Sequence, residues 1–175
     1  MQALMDLFEA IGAFMAQGGV LMNFIAVLVF VMWTLIFERV WYFKGALKGD
    51  VQASLDAWEA RKERKSWNAH QIRQALISRL SAKINHNMDL IATLIAICPL
   101  MGLLGTVTGM IDVFQVLSAG GGGDAKQMAG GVSKATIPTM SGMVAALSGL
   151  FANIYLTRIA ERENQLFADH LTMDH

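Results

Sequence analysis

Charged residues and cysteine are both scarce in this chain of 175 residues. Asp, Glu, Lys and Arg make up 16% of the positions, against about 25% in typical soluble domains. The single cysteine excludes a disulfide framework and a multi-cysteine metal site. The 14 basic and 14 acidic residues cancel, so the overall charge does not indicate a protein that binds nucleic acid. Two prolines exclude a proline-rich linker.

The few charges are concentrated in two parts of the chain. Residues 38–89 hold 16 of the 28 charged side chains and residues 158–175 hold 6. Three stretches carry no charge at all: Ala10–Phe37, Leu90–Ile111 and Ala135–Thr157. Because a transmembrane helix needs about 20 mainly apolar residues, each stretch is long enough to cross a bilayer. The sequence therefore predicts an all-α integral membrane protein with three transmembrane helices.

The apolar runs divide the chain into seven segments. The transmembrane helices are predicted at residues 19–43, 88–117 and 134–157, and the second and third are expected to extend as long helices into the cytoplasm. The other segments are an amphipathic interfacial helix (1–18), a cytoplasmic helical segment (44–87), a short Gly-rich periplasmic loop (118–133) and a cytoplasmic C-terminal helix (158–175). The four consecutive glycines of the loop predict mobility.

Lysine and arginine predict the orientation. Residues 1–19 contain neither, whereas residues 38–87 contain 10 of the 14 basic side chains. By the positive-inside rule, the N-terminus lies outside and the central segment and tail lie in the cytoplasm. No basic region precedes the first apolar run, so a cleaved signal peptide is not expected. Trp41, Tyr42 and Phe43 fit an aromatic belt at the membrane interface.

Helical periodicity continues outside the membrane. Apolar residues of the N-terminal segment recur at spacings of three and four, which predicts a helix lying in the outer interface. In the central segment Ile72, Leu76, Leu80 and Ile84 repeat every four residues. No helix breaker separates this stripe from the second span, so one helix is expected to run through both and to pack against the C-terminal helix. The basic run at residues 60–65 is interpreted as a solvated turn that faces lipid headgroups.

Small residues distinguish the second and third spans from the first. Gly105 and Gly109 form a GxxxG pair, and Ser141, Ala145 and Gly149 follow one another at spacings of four. Small residues at such spacings favour close packing of transmembrane helices. These two spans are therefore expected to face protein.

Polar groups within these spans are candidate ion-pathway positions. Thr106 lies near the middle of the second span, and Thr139 lies on the third. The other residues predicted on the same faces are Gly102, Gly109, Ala146 and Asn153. Hydroxyl groups at membrane depth need protein or a water-filled cavity beside them. The alternative is that each threonine bonds to its own helix and serves packing alone.

Two prolines and two charges complete the candidate set. Pro99 and Pro138 each free a backbone carbonyl and are expected to kink the second and third spans. Asp112 and Lys134 lie near the outer membrane edge, where they either pair or contact a partner, or act as separate interfacial anchors. No Asp, Glu or His lies in mid-membrane, although a proton relay normally needs an ionisable residue. Either hydroxyl groups coordinate the ion or a partner supplies a carboxylate.

Enzymatic chemistry finds little support in the sequence. The four histidines show no metal-ligand spacing, and Cys98 within the second span is interpreted as a packing residue. The glycine run lacks the Lys-Ser or Lys-Thr pair of a phosphate-binding loop. No enzyme activity, metal or cofactor is therefore expected.

The motifs resemble those of a known family. PLMGLLGTVTGMIDVF (Pro99–Phe114) is similar to the span-two signature of the MotA/TolQ/ExbB superfamily, and GVSKATIPTMSGMVAALSG (Gly131–Gly149) is similar to its span-three signature. FERVWYF (Phe37–Phe43) resembles the Glu-Arg element that ends span one. Three spans resemble ExbB or TolQ rather than MotA, which has four, and the small size is more similar to ExbB.

The resemblance implies a subunit of a motor in the bacterial inner membrane that uses the proton motive force. It implies that ExbB-like proteins form homopentamers around a dimer of ExbD, a single-span protein with an essential aspartate. The complex then energises a TonB-type protein for transport across the outer membrane. The resemblance assigns Thr106 and Thr139 to the pore threonines. It places Lys134 where the family usually has glutamate, so the role of that position here stays open.

Three alternatives also stay open: a TolQ-like role, a sodium-driven motor, and a membrane scaffold that conducts no ions.

Overall fold

The computed structural model describes residues 2–60, 66–120 and 125–171. These residues form six α-helices and no strand: α1 (Gln2–Gln17), α2 (Gly19–Lys44), α3 (Ala46–Glu59), α4 (Trp67–Ile84), α5 (Met88–Gly120) and α6 (Ala125–His170). Three helical stretches are long and apolar enough to cross a membrane, namely Gly19–Lys44, Trp67–Ser118 and Met128–His170. The predicted all-α membrane protein with three spans is confirmed.

The second of these stretches contains a short interruption that the sequence analysis did not predict. α4 ends at Ile84 and α5 begins at Met88. Asn87 has a φ of 62°, a left-handed conformation that asparagine adopts more readily than most residues. The amide of Met88 donates to the carbonyl of Asn85 at 3.1 Å. The uninterrupted helix expected here is corrected to two consecutive helices, because asparagine at 85 and 87 permits a turn.

The connection between α5 and α6 is shorter than the predicted loop at 118–133. α5 reaches Gly120 and α6 begins at Ala125. Alanine, lysine, glutamine and methionine at 125–128 all have high helix propensity, which favours this early start. The remaining glycines of the run lie outside the described part of the chain, as do residues 61–65 of the basic run and residues 172–175. The predicted mobility of the loop concerns these undescribed glycines and stays a prediction.

The helices contribute to two compact units. The first unit contains residues 1–33 and 93–150, and the second contains residues 34–92 and 151–175. Each unit has its own packing.

In the first unit, glycines of α5 allow close contact with α6. A Cβ atom at Gly105 would lie 2.5 Å from the Cβ of Pro138, and a Cβ at Gly109 would lie 2.5 Å from the Cβ of Ala135. Pro138 is fully buried at this contact. Because small residues let membrane helices approach closely, the two backbones pack directly against each other. The expectation that the second and third spans face protein is met, in this unit, by their contact with each other.

Small residues of α6 continue the same packing. A Cβ at Gly142 would collide with the carbonyl oxygen of Cys98, which is itself completely buried. A Cβ at Gly149 would lie 2.6 Å from the Sδ of Met32 on α2 and 2.8 Å from Ile95 on α5. At Gly142 and Gly149, α6 therefore lies so close to its neighbours that a side chain larger than hydrogen would overlap them.

The second unit has a hydrophobic core formed by α3, α4 and the C-terminal part of α6. Its buried side chains are Leu47, Trp58, Ala69, Leu80, Ile84, Ala160, Phe167 and Leu171. Ile72 and Leu76 pack against this core from α4. Apolar area removed from water stabilises such a cluster by about 25 cal/mol per Å². The predicted packing of the α4 stripe against the C-terminal helix is confirmed.

Two arginines of the second unit bind carbonyl groups at helix ends. Arg73 donates from Nε to the carbonyl of Leu171 and from Nη2 to that of Ala168, each at 2.8 Å. Arg39, only 4% exposed, donates from Nη1 to the carbonyl of Lys83 at 3.1 Å. The last four carbonyls of a helix lack partners within the helix. The two guanidinium groups therefore satisfy the C-terminal ends of α6 and α4.

Side-chain contacts hold Arg39 and the end of α4 in place. Glu38 accepts from Nη2 of Arg39 at 2.6 Å, and the guanidinium carbon lies 4.9 Å from the ring centre of Tyr42. Asp50 accepts from Lys83 Nζ at 2.8 Å and from Tyr42 Oη at 2.9 Å. The hydrogen bond from Lys83, and then that from Tyr42, lowers the pKa of the Asp50 carboxyl. α2, α3 and α4 are thereby linked through one polar network.

Substitution of Gly105 by alanine tests the contact between α5 and α6. The added methyl group would overlap Pro138. We expect Gly105→Ala to lower the free energy of unfolding by about 1–3 kcal/mol, the usual cost of overpacking. Thermal unfolding of the purified protein in detergent measures the effect.

Gly130→Ala is the matched control, since a Cβ at this position of α6 meets nothing within 4 Å. Alanine is favoured over glycine in a helix by about 0.5–1 kcal/mol, so this variant is expected to unfold at an equal or higher temperature than the parent. A Gly105→Ala protein as stable as Gly130→Ala would show that α5 and α6 do not approach as described.

Candidate functional site

The hydroxyl group of Thr139 connects α6 to α5 within the first unit. Its Oγ1 donates to the carbonyl oxygen of Gly102 at 2.8 Å. A Cβ at Gly102 would lie 2.8 Å from the Cα of Thr139, so the approach requires glycine. Hydrogen bonds from threonine across a helix pair stabilise membrane helices. Thr139 therefore does not follow the alternative in which each threonine bonds to its own helix.

Thr106 does follow that alternative. Its Oγ1 donates to the carbonyl of Leu103, one turn earlier in α5, at 2.7 Å. The side chain is half-buried, as is that of Thr139. Among the hydrogen bonds of the described residues, none joins the two threonines directly. The hydroxyl of Thr139 thus binds α5 at Gly102, whereas the hydroxyl of Thr106 binds a carbonyl of its own helix.

Both threonines have used their one proton as a donor to a carbonyl. A hydroxyl group has a single O–H donor and two lone pairs that accept. What Thr106 and Thr139 present to any further group is therefore an acceptor. Acceptor oxygens suit a cation or an O–H donor, such as a protonated carboxyl group, and do not suit an ionised carboxylate.

The predicted lining residues Gly102 and Gly109 are explained by packing. At both positions the direction of a side chain is occupied by α6, through Thr139 and Ala135 respectively. Ala146 is half-buried on α6, next to the buried Ala145. The role of Ala146 in lining an ion pathway stays a prediction. Gly102 and Gly109 allow α5 and α6 to pack closely, whether or not they also line a pathway.

Asn153 lies in the part of α6 that belongs to the second unit. Its side-chain oxygen Oδ1 is buried without a hydrogen-bond partner in the described structure. Leaving a buried acceptor unpaired costs about 1–3 kcal/mol, so such a group needs an explanation. The predicted position of Asn153 on an ion pathway, where water, an ion or a partner reaches it, stays a prediction that this unpaired oxygen favours.

Asp112 and Lys134 line one cavity in the first unit. Its volume is about 800 Å³, and it is lined by the start of α2, the second half of α5 and the first turns of α6. The two charges do not form a salt bridge with each other, although both side chains are described. The predicted ion pair between Asp112 and Lys134 is therefore not found, and a contact with a partner stays a prediction.

The two prolines lie within helices that remain unbroken. Pro99 is half-buried inside α5, and Pro138 is fully buried inside α6 and also lines the cavity. The predicted kinks stay predictions. The role of Pro138 as the residue packed against Gly105 was missed, because proline was interpreted only through the carbonyl that it frees.

Sequence reasoning also missed the buried guanidinium of Arg39. The Glu-Arg element at the end of the first span was noted only as a motif. Its contact with the carbonyl of Lys83 joins residues 44 positions apart, which no local pattern reveals. The one available signal was an arginine inside an apolar run that ends in aromatic residues, since such a charge needs partners.

Comparison with known proteins shows which family this chain is similar to. Residues 44–169 match the profile of the MotA/TolQ/ExbB proton channel family. A biopolymer transport protein of Synechocystis, ExbB-like 1, is 30% identical over 184 aligned positions, which cover 87% of this chain and 72% of that protein.

Two further relatives match over shorter regions. The biopolymer transport protein ExbB of Xanthomonas campestris is 35% identical over 88 residues, covering 50% of this chain and 34% of the relative. The Tol-Pal system protein TolQ of Haemophilus influenzae is 28% identical over 94 residues, covering 54% of this chain and 40% of the relative. The profile match extends over most of the chain, and it includes α5 and the greater part of α6. This multi-pass membrane protein belongs to the MotA/TolQ/ExbB proton channel family.

Proposed function

We propose that this chain is the ExbB-like subunit of an ion-driven motor in the bacterial inner membrane. The observation that carries the proposal is the pair of threonines on α5 and α6, whose hydroxyl protons are both engaged by backbone carbonyls. They lie in stretches, Leu90–Ile111 and Ala135–Thr157, that contain no acidic side chain. Helices of this kind can accept an ion or a proton donor but cannot themselves titrate.

The missing titratable group belongs, in this proposal, to a partner. A single-span protein of the ExbD type supplies a carboxyl group within the membrane, and a dimer of it lies inside a pentamer of this chain. When that carboxyl group is protonated, its O–H can donate to the lone pairs of Thr106 or Thr139. When it is ionised, the hydroxyl groups offer it no free proton. The two threonines thus favour the protonated partner, which couples ion entry to partner position.

The work of the motor is then delivered to a TonB-type protein. The names of the relatives from Synechocystis and Xanthomonas describe biopolymer transport, which supports a role in energising transport across the outer membrane. The match to TolQ of Haemophilus influenzae supports a second candidate, a TolQ-like role within a Tol-Pal system. Both candidates use the same helices and the same ion pathway, and they differ in the protein that is driven.

Valine in place of either threonine tests the pathway. Valine keeps the shape of threonine but removes the hydroxyl, so the acceptor is lost. Losing a hydrogen bond to an ion or to a charged group costs about 1.5–3 kcal/mol, which corresponds to roughly a tenfold to hundredfold effect. We expect energised uptake by Thr106→Val and Thr139→Val cells to fall by at least about tenfold while the assembly still forms.

Thr106→Ser and Thr139→Ser keep the hydroxyl and are expected to retain most of the activity. Thr136→Val is a matched control, since Thr136 is exposed on α6 and bonds to the carbonyl of Ser133. Full uptake in both valine variants, or equal loss in all three, would remove these residues from the ion pathway.

Dissipation of the ion gradient separates the motor from a membrane scaffold that conducts no ions. We expect uptake to stop when a protonophore collapses the proton gradient, because the work comes from ion flow. A sodium ionophore that has this effect in place of the protonophore would assign the motor to sodium. Uptake that persists under both treatments would instead support the scaffold.

Assembly with a partner is the most direct test of the subunit assignment. We expect native mass spectrometry of the complex purified from membranes to show five copies of this chain with two copies of a single-span protein that carries a membrane aspartate. The carboxyl-free pathway requires such a partner. A monomer that retains no membrane partner under mild extraction would contradict the proposal.

A further inference from the structure

The cavity of the first unit, described above, has mostly apolar walls. They include Val113, Val116 and Leu117 of α5 and Met128 of α6, and Val20 contributes from the start of α2. Val20, Val116 and Met128 are well exposed, so the cavity opens to the surroundings of the helices. An apolar cavity of about 800 Å³ lies within the size range of small-molecule binding sites.

Two unpaired charges interrupt this apolar wall. The carboxylate of Asp112 and the ammonium group of Lys134 make no hydrogen bond or salt bridge with any described residue, and both side chains are exposed. Charged groups at the edge of a membrane are costly unless they are solvated or paired. The cavity therefore presents one carboxylate that can bind a cationic group and one ammonium group that can bind an anionic group.

The depth of these charges is that of lipid headgroups. Asp112 directly follows the uncharged run Leu90–Ile111, and Lys134 directly precedes the uncharged run Ala135–Thr157. Each of these runs is by itself about as long as the 20 residues that a helix needs to cross the hydrocarbon core. The polar layer of a bilayer occupies about 5–8 Å on each side of the hydrocarbon core. The two charges thus lie close to the boundary between headgroups and acyl chains.

We infer that this cavity binds one phospholipid with a phosphoethanolamine headgroup. Asp112 accepts from the ammonium group of the lipid, Lys134 donates to its phosphate, and the apolar wall contacts an acyl chain. A zwitterionic headgroup carries one charge of each sign, which complements the two unpaired side chains that line the cavity. An anionic headgroup such as phosphatidylglycerol would satisfy Lys134 but leave Asp112 facing negative charge. Neither Thr106 nor Thr139 of the proposed ion pathway lines this cavity.

Lipid exchange on the full-length protein tests the inference. The complex purified in detergent is stripped of lipid, equilibrated with an equimolar mixture of phosphatidylethanolamine and phosphatidylglycerol, and analysed by native mass spectrometry. We expect about tenfold preferential retention of phosphatidylethanolamine, at one molecule per chain. Asp112→Asn is expected to abolish this preference, because a charge-assisted hydrogen bond supplies roughly that factor. Lys134→Gln is expected to lower the retention of both lipids.

Conservative and distant variants serve as controls. Asp112→Glu and Lys134→Arg keep the charges and are expected to retain the preference, which separates a binding role from a defect in folding. Asp169→Asn and Lys48→Gln make the same chemical changes at exposed positions that do not line the cavity. We expect both to bind lipid as the parent does.

Three results would overturn the inference. One is equal retention of the two lipids by the parent protein. Another is an Asp112→Asn protein that keeps the full preference. The third is loss of a protein partner from the Asp112→Asn and Lys134→Gln complexes while lipid retention is unchanged, which would assign the cavity to a protein helix instead. Because the readout is bound lipid, failure here is distinguishable from failure of the ion pathway.

Discussion

The close approach of α5 and α6 is the constraint on which the first unit depends. Apolar side chains gain little by leaving lipid, so membrane helices associate through van der Waals contact and hydrogen bonds between helices. At Gly102, Gly105 and Gly109 the missing side chains bring α6 close enough for both. The hydrogen bond from Thr139 to the carbonyl of Gly102 exists only because the two backbones are this near. Packing and the candidate ion pathway therefore share the same residues.

The second unit is stabilised by a different balance of forces. It buries a hydrophobic core around Trp58, and arginine side chains bind the carbonyl groups at two helix ends. A guanidinium group suits this task because its donors are arranged in a rigid fork and it remains charged. Arg73 binds two carbonyls at once, which lysine cannot do with the same geometry. The polar contacts of this unit thus fix where α4 and α6 end.

The sequence predicted most where a property extends over many residues, and least where two distant residues meet. Uncharged runs identified the three spans, and a period of four identified the face of α4 that packs in the core. The turn at 85–87 was missed because asparagine only tolerates a left-handed conformation and does not require it. The contact of Arg73 with Leu171 joins residues 98 positions apart, so no local pattern contains it. The threonines were recognised by type, whereas the carbonyl that each one binds was not.

The direction of those threonine hydrogen bonds limits how this chain can take part in ion transfer. A hydroxyl whose proton is held by a carbonyl acts toward its other neighbours as an acceptor. Lone pairs of this kind accept equally from a protonated carboxyl group and from a metal cation such as sodium. In the proposed motor, the two residues would therefore set the sign of the charge that the pathway admits, but they contribute no group whose pKa could discriminate between the ions. Discrimination must come from the group that titrates, and in these uncharged stretches the chain has none. In the proposed motor, the choice of ion is accordingly a property of the carboxyl group that the proposed partner supplies and of the number of oxygen atoms gathered around it.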